Sequence, residues 1–160
     1  MEKYSQYYDL DDLDKGLLRE LQSNCQLSNV ELGRRVNLSP PAVHTRIKRL
    51  EALGYIAQYV AVIDREKVGY EMLCFISVKL QQHQLDTVEM FRSAVSQMPE
   101  VLECHFVAGE YDYLLKVVVR NRKDLERFLM QQLTPIPGIA HISTNLVLSE
   151  IKQTTAVALE

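Results

Sequence analysis

The side chains best suited to chemistry in this sequence lie in one short run, residues 39–49. The run reads Ser-Pro-Pro-Ala-Val-His-Thr-Arg-Ile-Lys-Arg. Arginine and lysine bind phosphate oxygens and the acceptor atoms of guanine, while hydroxyl and imidazole groups add further hydrogen bonds to nucleic acid. Because the run mixes cations with hydrogen-bonding side chains, it indicates a surface that contacts nucleic acid.

The charge of the whole chain, taken alone, argues against that interpretation. The 160 residues carry a formal net charge of -3. Between Ser28 and Ile56, however, five basic residues stand against two acidic ones, which gives this stretch a net charge of +3. Contact with phosphates depends on the local face of a protein, so an acidic protein can bind nucleic acid through such a stretch.

Two helices are expected before the basic run, and they must position it. Asp11 is a favourable N-cap and leucines recur every four residues after it, which predicts a first helix. Ser28 and Glu31 have the spacing of a capping box, which predicts a second helix over residues 29–36. Gly33 should cost that helix roughly 1 kcal/mol of stability unless close packing requires a residue without a side chain.

The basic run itself is predicted to be a third helix that begins after Ser39 and ends at Gly54 in a left-handed conformation. Pro40 and Pro41 have no N–H group, so the Ser39 hydroxyl is expected to accept a hydrogen bond from the N–H of Ala42. Three apolar residues at helical spacing mark the inward face of this helix, namely Val43, Ile47 and Leu50.

Three helices, of which the last two are joined by a very short turn, are typical of a helix-turn-helix DNA reader. The expected DNA contacts are Ser39, Pro41, Ala42, His44, Thr45, Arg46, Lys48 and Arg49. Arg46 and Arg49 are expected to hold phosphates, and most of the others to face base edges. A charged helix face can also be merely solvated, and His44 fits surface exposure as well as it fits DNA contact.

The residues that follow the third helix predict a strand and a domain boundary. Tyr55–Ile63 is β-branched and aromatic, which favours a strand, and residues 64–69 have the composition of a turn. We therefore expect two domains. Residues 1–62 would form the helix-turn-helix domain, with a loose N-terminal arm and this linker strand, and residues 63–160 would form the second domain.

In the second domain, the spacing of apolar residues switches between strand and helix periods in the order βαββαβ. Met98-Pro99 and Ile136-Pro137 each end a helix just before a strand, so the two halves of the domain resemble each other. The fold class is therefore predicted to be α+β, with a ferredoxin-like βαββαβ sandwich behind the helix-turn-helix domain. Apolar residues fall on both faces of the sheet and helices cover only one, so we expect a homodimer.

Three sequence patterns together resemble one known family. They are L-S-P-P-A-V-H-T-R-I-K-R-L-E-A-L-G-Y-I from residue 38, A-G-E-Y-D-Y-L-L-K-V from residue 108 and E-I-K-Q-T-T from residue 150. In this order they are similar to the Lrp/AsnC regulators, also called feast/famine proteins. The resemblance implies a sequence-specific transcription regulator that dimerises through its C-terminal sheets and assembles further into tetramers, octamers or open helices. It also implies control by a small effector, commonly an amino acid.

The resemblance also implies where the effector would bind. The candidate contacts are Gly109, Glu110, Tyr111, Asp112 and Tyr113, with Ser143 and Thr144 from the last strand. Asp112 would meet an ammonium group, and N–H groups of the loop would hold a carboxylate. The residues alone favour a plain hairpin turn, in which Gly109 supplies a positive φ and Asp112 caps the backbone. The two roles can coexist, since loops commonly carry binding sites.

Other classes of function find little support in the sequence. The three cysteines have no C-x-x-C spacing and His83, His105 and His141 have no ligand spacing, so neither a metal site nor a disulfide framework is expected. An enzyme on the ferredoxin-like module is an alternative, but no nucleophile-elbow, P-loop or zinc-protease motif is present, so we expect no catalysis and no cofactor. A DNA-compacting protein with little sequence preference is another alternative.

The environment of the protein follows from its cysteines and its apolar segments. Unpaired cysteines suit a reducing compartment, and no apolar run approaches the roughly 18 residues needed to cross a bilayer. We therefore expect a cytoplasmic protein without a membrane partner. Its expected partners are double-stranded DNA and further copies of itself.

Overall fold

The structure is a computed structural model that describes residues 10–82 and 84–159. The expected N-terminal arm, residues 1–9, lies outside the described residues, as does His83. Among the described residues, no helix is both long enough and apolar enough to cross a membrane.

The chain forms two compact units. The first contains residues 10–61 together with residues 152–159, and the second contains residues 62–151. Residues 152–159 therefore belong to the first unit, whereas the predicted second domain runs from residue 63 to residue 160.

The first unit is built from three helices, α1 (Asp12–Ser23), α2 (Asn29–Val36) and α3 (Pro40–Ala52). They enclose a small apolar core in which Leu17, Leu32 and Val43 are completely buried. Leu50 is also completely buried and Ile47 packs against the core, so the predicted inward face of α3 is confirmed.

Side-chain caps start all three helices where the sequence predicts them. The carboxylate of Asp11 accepts a hydrogen bond from the N–H of Asp14 at 2.8 Å. Ser28 and Glu31 form a complete capping box. The Ser39 hydroxyl accepts, at 3.4 Å, from the first N–H available after the two prolines. Each cap satisfies a backbone donor that the helix itself leaves unpaired, and thereby fixes where the helix begins.

The turn between α2 and α3 is tight, and Gly33 allows it to be so. Asn37 is left-handed, with φ 55° and ψ 46°, and the N–H groups of Asn37 and Leu38 both donate to the carbonyl oxygen of Gly33. A Cβ atom at Gly33 would overlap the carbonyl oxygen of Leu38. Close packing therefore requires the glycine that looked unfavourable in the sequence.

The predicted strand over Tyr55–Ile63 is wrong. Tyr55 and Ile56 donate to the carbonyl oxygen of Leu50 and close the end of α3, which Gly54 leaves with φ 77°. Residues 57–63 are exposed and form no strand with any described part of the chain. Their β-branched composition gives the propensity for a strand, but a strand also needs a neighbouring strand to bond with.

The second unit has the predicted βαββαβ order. Its elements are β1 (Met72–Leu80), α4 (Leu85–Ser96), β2 (Val101–Phe106), β3 (Tyr113–Val119), α5 (Arg122–Arg127) with a π-helical turn (Phe128–Leu133), and β4 (Ile139–Leu146). The strands form one antiparallel sheet in the order β2-β3-β1-β4. The two central strands are thus the first and third along the chain, as in a ferredoxin-like sandwich, so the predicted fold class is confirmed.

The core of the second unit lies between the helices and one face of this sheet. Ile76, Leu115, Phe91 and Phe128 are completely buried there. The opposite face carries Phe75, which is 37% exposed between its strand neighbours Lys116 and Asn145. Helices therefore cover only one face of the sheet, as the sequence predicts.

The C-terminal segment of the chain packs on α1 in the first unit. The side-chain amide of Gln22 forms a reciprocal pair with the backbone of Val157: its oxygen accepts from the Val157 N–H at 2.7 Å, and its nitrogen donates to the Val157 carbonyl at 3.1 Å. Arg19 donates to the carbonyl oxygen of Leu159 at 3.1 Å. The segment is thus held by side chains of the first helix of the chain.

Candidate nucleic-acid interface and ligand-binding loop

The side of α3 that faces away from the core presents most of the residues predicted to contact DNA. The exposed members of the predicted set are Ser39, Pro41, His44, Thr45, Lys48 and Arg49, while Ala42 and Arg46 are half-buried. The Thr45 hydroxyl donates back to the carbonyl oxygen of Pro41 at 3.0 Å, so its oxygen remains an acceptor toward a ligand. The helix therefore separates an apolar inner face from a polar outer face.

A buried carboxylate on α1 holds two arginines of α3. Asp14 is completely buried, and its two oxygens accept from Arg46, at 2.8 Å, and from Arg49. The same guanidinium of Arg46 also donates to Asp11 at 2.6 Å. These ion pairs raise the pKa of Arg46, chiefly through Asp11, and the N–H of Asp14 is the main cause that lowers the pKa of Asp11. The cluster joins the start of α1 to the middle of α3.

A second carboxylate, that of Glu51, belongs to α3 itself and lies beside Lys48. Glu51 accepts from the Lys48 ammonium at 2.6 Å and from the Tyr59 hydroxyl at 3.2 Å, each on a different oxygen. The ammonium of Lys48 is the main cause that lowers the pKa of Glu51. Tyr59 lies in the exposed segment after the helix, so Glu51 ties that segment to the outer face of α3.

Carboxylates therefore offset most of the positive charge that the sequence concentrates in this region. Four of the five basic residues between Ser28 and Ile56 lie in ion pairs. Two of the four partner carboxylates, Asp14 and Glu20, come from α1, and a third, Asp11, is the N-cap of that helix. The sequence does not predict the three partners Asp11, Asp14 and Glu20, because they precede the basic stretch by many residues. The only sequence signal was the pair of aspartates at the first turn of an amphipathic helix.

The loop between β2 and β3 is fixed to the end of β1 by one aspartate. The backbone N–H of Asp112 donates to the carbonyl oxygen of Val78 at 3.0 Å, and its carboxylate accepts from the N–H of Leu80 at 2.8 Å. The carbonyl oxygen of Asp112 accepts from Val107 across the loop at 2.9 Å. Gly109 has φ 158°, which is close to extended backbone. The loop is thus held at its base by Asp112, as the hairpin interpretation expects of that residue.

The sheet brings this loop to the start of β4. The rings of Tyr111 and His141 lie 6.0 Å apart, centroid to centroid. The register of β4 against β1 places His141 beside the loop. The sequence does not predict this contact, because local sequence does not reveal the register between distant strands. Ser143 and Thr144 are opposite Ser77 and Ile76 respectively, so the two side chains point to opposite faces of the sheet.

Tyr113, the last residue of the predicted set, is a core residue. It is 2% exposed, and its ring lies 4.5 Å from that of Phe91 and 5.4 Å from that of Phe106. The residue therefore supports the loop from the core side, while Gly109, Glu110, Tyr111 and Asp112 form the part of the loop nearer to solvent.

Both parts of the chain are similar to domains of known proteins. Residues 10–57 match a winged helix-turn-helix DNA-binding domain, and residues 73–157 match the Lrp/AsnC ligand-binding domain. The leucine-responsive regulatory protein of Klebsiella pneumoniae is 37% identical over 152 residues, which cover 95% of this chain and 93% of that protein. Its counterpart in Escherichia coli K12 is 36% identical over the same shares.

Solved structures agree with the sequence comparison. A transcriptional regulator of Neisseria meningitidis in complex with L-Met has a TM-score of 0.90 and 37% identity, covering 94% of this chain and 97% of that one. An AsnC family regulator of Agrobacterium tumefaciens has a TM-score of 0.87 and 32% identity, covering 92% and 96% of the two chains. The fold and the matched domains define a transcription regulator with a DNA-binding domain and a ligand-binding domain.

The chain belongs to the Lrp/AsnC family, which consists of transcription regulators and not of enzymes. The resemblance stated from the sequence is thereby confirmed, as is the prediction of a DNA-binding regulator without catalytic activity.

Proposed function

We propose that α3 is the recognition helix and that its outer face enters the major groove of DNA. The observation that carries this proposal is the division of α3 into a buried apolar side and an exposed polar side behind a tight, capped turn. The proposed base contacts are Pro41, Ala42, His44, Thr45 and Lys48, and the proposed phosphate contacts are Ser39 and Arg49. Arg46, which two carboxylates already hold, contributes indirectly by fixing α3 on α1.

We also propose that the regulator acts as a homodimer through the open face of its sheet, and that dimers assemble further into tetramers or octamers. Phe75 lies on that face and is 37% exposed. Exposed apolar surface of this kind is typical of subunit interfaces. A two-fold dimer would read a pseudo-palindromic site whose half-sites lie about one helical turn apart.

The interface is tested by Phe75→Lys, which would place a charge on the open face of the sheet. We expect this variant to be monomeric at concentrations where the parent is not, and to lose affinity for a duplex with two half-sites. Light scattering after size exclusion measures the mass. Leu85→Lys, at an 81% exposed position of α4, is the matched control and should leave the mass unchanged. A Phe75→Lys variant with the parent's mass would contradict the proposed interface.

The effector that we propose is an amino acid, bound at the loop of Gly109, Glu110, Tyr111 and Asp112 with Tyr113 beneath it, and with Ser143 or Thr144 from the last strand. Three observations support this proposal: the match to a ligand-binding domain, the names of the leucine-responsive relatives, and the L-Met complex of the Neisseria regulator. The carboxylate of Asp112 would pair with the ammonium group.

Asp112→Asn tests that contact, because an asparagine keeps one oxygen to accept from the Leu80 N–H and replaces the charged carboxylate with a neutral amide of the same shape. We expect the affinity for the effector, measured by titration calorimetry, to fall about tenfold or more. Asp86→Asn, at an exposed position of α4, is the control for net charge. Equal effector affinity in Asp112→Asn and the parent would remove Asp112 from the site.

The function as a whole is tested by selecting the purified protein on randomised duplexes, with and without the common amino acids. We expect enrichment of a two-fold symmetric motif, and a change in its strength with one amino acid. Tight binding without an enriched motif would indicate an architectural DNA-binding protein instead. As the proposed ligands are chromosomal DNA and a metabolite, we place this activity in the cytoplasm.

A further inference from the structure

We propose that Glu51 is a specificity-determining residue, because its carboxylate holds Lys48 in an internal ion pair that suppresses binding to DNA of arbitrary sequence. The proposal rests on the function proposed above, in which Lys48 reads base edges. It concerns a different quantity, namely the ratio of affinities for operator and random DNA.

The geometry fixes Glu51 more firmly than it fixes Lys48. The side chain of Glu51 is 28% exposed, and both of its oxygens are engaged, one by the Lys48 ammonium at 2.6 Å and the other by the Tyr59 hydroxyl at 3.2 Å. The side chain of Lys48 is 62% exposed. When Lys48 moves toward DNA, Glu51 therefore stays on the recognition face, with Tyr59 still bonded to it.

A carboxylate in this position affects random and specific binding differently. Binding to random DNA depends almost entirely on phosphate contacts, which an adjacent negative charge repels. A lysine ammonium has three N–H donors, so Lys48 can keep its bond to Glu51 and still donate to a base acceptor in the groove. The carboxylate thus disfavours contacts with phosphates at arbitrary positions more than it disfavours one defined base contact.

The buried carboxylate of the same unit cannot serve this purpose. Asp14 is completely buried between α1 and α3, so its charge is tied to the packing of the helices. Glu51 lies one helical turn after Lys48 on α3 itself, where its removal leaves the core untouched.

The test is Glu51→Gln in the full-length protein, with dissociation constants measured by fluorescence anisotropy over a series of salt concentrations. The probes are a random duplex and the duplex enriched by selection. We expect the affinity for random DNA to rise about two- to fivefold, the ratio that corresponds to an exposed ion pair. The salt dependence for random DNA should steepen by up to about 0.9 in logarithmic slope, as for one added phosphate contact. Affinity for the selected duplex should change less, so that the specificity ratio falls.

Three further variants separate charge from structure. Glu89→Gln removes an equivalent carboxylate, three residues before its partner Arg92 in the second unit, and should change neither affinity. Tyr59→Phe removes the second bond of Glu51 but keeps its charge, and should not increase binding to random DNA. In a Lys48→Ala background, Glu51→Gln should have a smaller effect than in the parent, because the effect acts through Lys48.

The outcomes distinguish this inference from the function on which it rests. If Lys48→Ala weakens binding to the selected duplex but Glu51→Gln does not raise affinity for random DNA, the inference is wrong and the proposed base contact stands. If Lys48→Ala has no effect on the selected duplex, the base contact and the inference both fail. A Glu51→Gln variant that binds both duplexes more weakly would show a structural role for Glu51 instead.

Discussion

At the scale of single residues, the least expected side chain is Asp14. A completely buried carboxylate is costly unless it is paired, and here two guanidinium groups of α3 compensate it. The pairing fixes the angle at which α3 lies on α1, and hence the direction in which its outer face points. In the proposed complex with DNA, Arg46 therefore contributes through the position of the helix.

Asp14→Asn should destabilise the protein by about 1–3 kcal/mol, because Arg46 and Arg49 lose a charged partner at a completely buried position. Urea unfolding followed by circular dichroism measures the change. Asp12→Asn, on the exposed side of the same helical turn, serves as the control and should stay within about 0.5 kcal/mol of the parent. Equal stabilities of the two variants would mean that the buried pairing contributes nothing to the fold.

At the scale of elements, the sequence predicts helices and strands correctly where neighbouring residues, such as caps and apolar repeats, determine the local structure. The caps Asp11, Ser28 and Ser39 fixed three helix starts, and the apolar periods gave the order of all elements in the second unit. Residues 55–63 were mispredicted, because a strand depends on a partner strand that local composition cannot supply. The pairing of Arg46 and Arg49 with the aspartates at the start of the first helix, and the neighbourhood of Tyr111 and His141, were missed for the same reason, as both depend on distant segments.

The tight turn after α2 gives an element-scale prediction. Gly33→Ala should lower stability, because overlap with the Leu38 carbonyl costs about 1–3 kcal/mol and outweighs the roughly 1 kcal/mol that alanine gains in helix propensity. Thermal unfolding of the variant should therefore occur at a lower temperature.

The matched control is Gly16→Ala in α1. A Cβ there would meet only a methyl group of Val36, at 3.3 Å, which can shift by a few tenths of an ångström. We expect this variant to be as stable as the parent or slightly more so. If Gly33→Ala were as stable as Gly16→Ala, the turn would have space for a Cβ atom at residue 33, and the proposed overlap with the Leu38 carbonyl would be wrong.

At the scale of the whole molecule, the chain contributes to its first unit twice, once at each end of the described sequence. Gln22 and Arg19 on α1 hold the returning segment through the backbone of Val157 and Leu159. All three bonds are made to backbone groups, with the Val157 N–H as a donor and the Val157 and Leu159 carbonyls as acceptors, so the side chains of the segment carry little signal of where it packs. For this reason the segment is predicted from the sequence to lie in the second domain.

Removing residues 152–160 should increase hydrogen exchange in α1 while leaving the sheet of the second unit protected. Exchange followed by mass spectrometry resolves the two regions. Gln22→Ala removes the reciprocal pair with the full chain retained, and should reproduce the effect on α1 in part. Unchanged exchange in α1 after both changes would show that the segment does not stabilise the first unit.

Because residues 152–159 pack in the first unit, they also determine where this regulator can be cut to make a chimera. A chimera that joins its DNA-reading part to a foreign sensor cannot be cut once, after residue 61, because the graft would leave behind the piece that α1 binds. Two junctions are needed, one near residue 61 and one near residue 152, so that the sensor becomes an insertion within the DNA-reading unit. A purification tag on the C-terminus would likewise be attached to the DNA-reading unit, and it belongs on a long, flexible spacer.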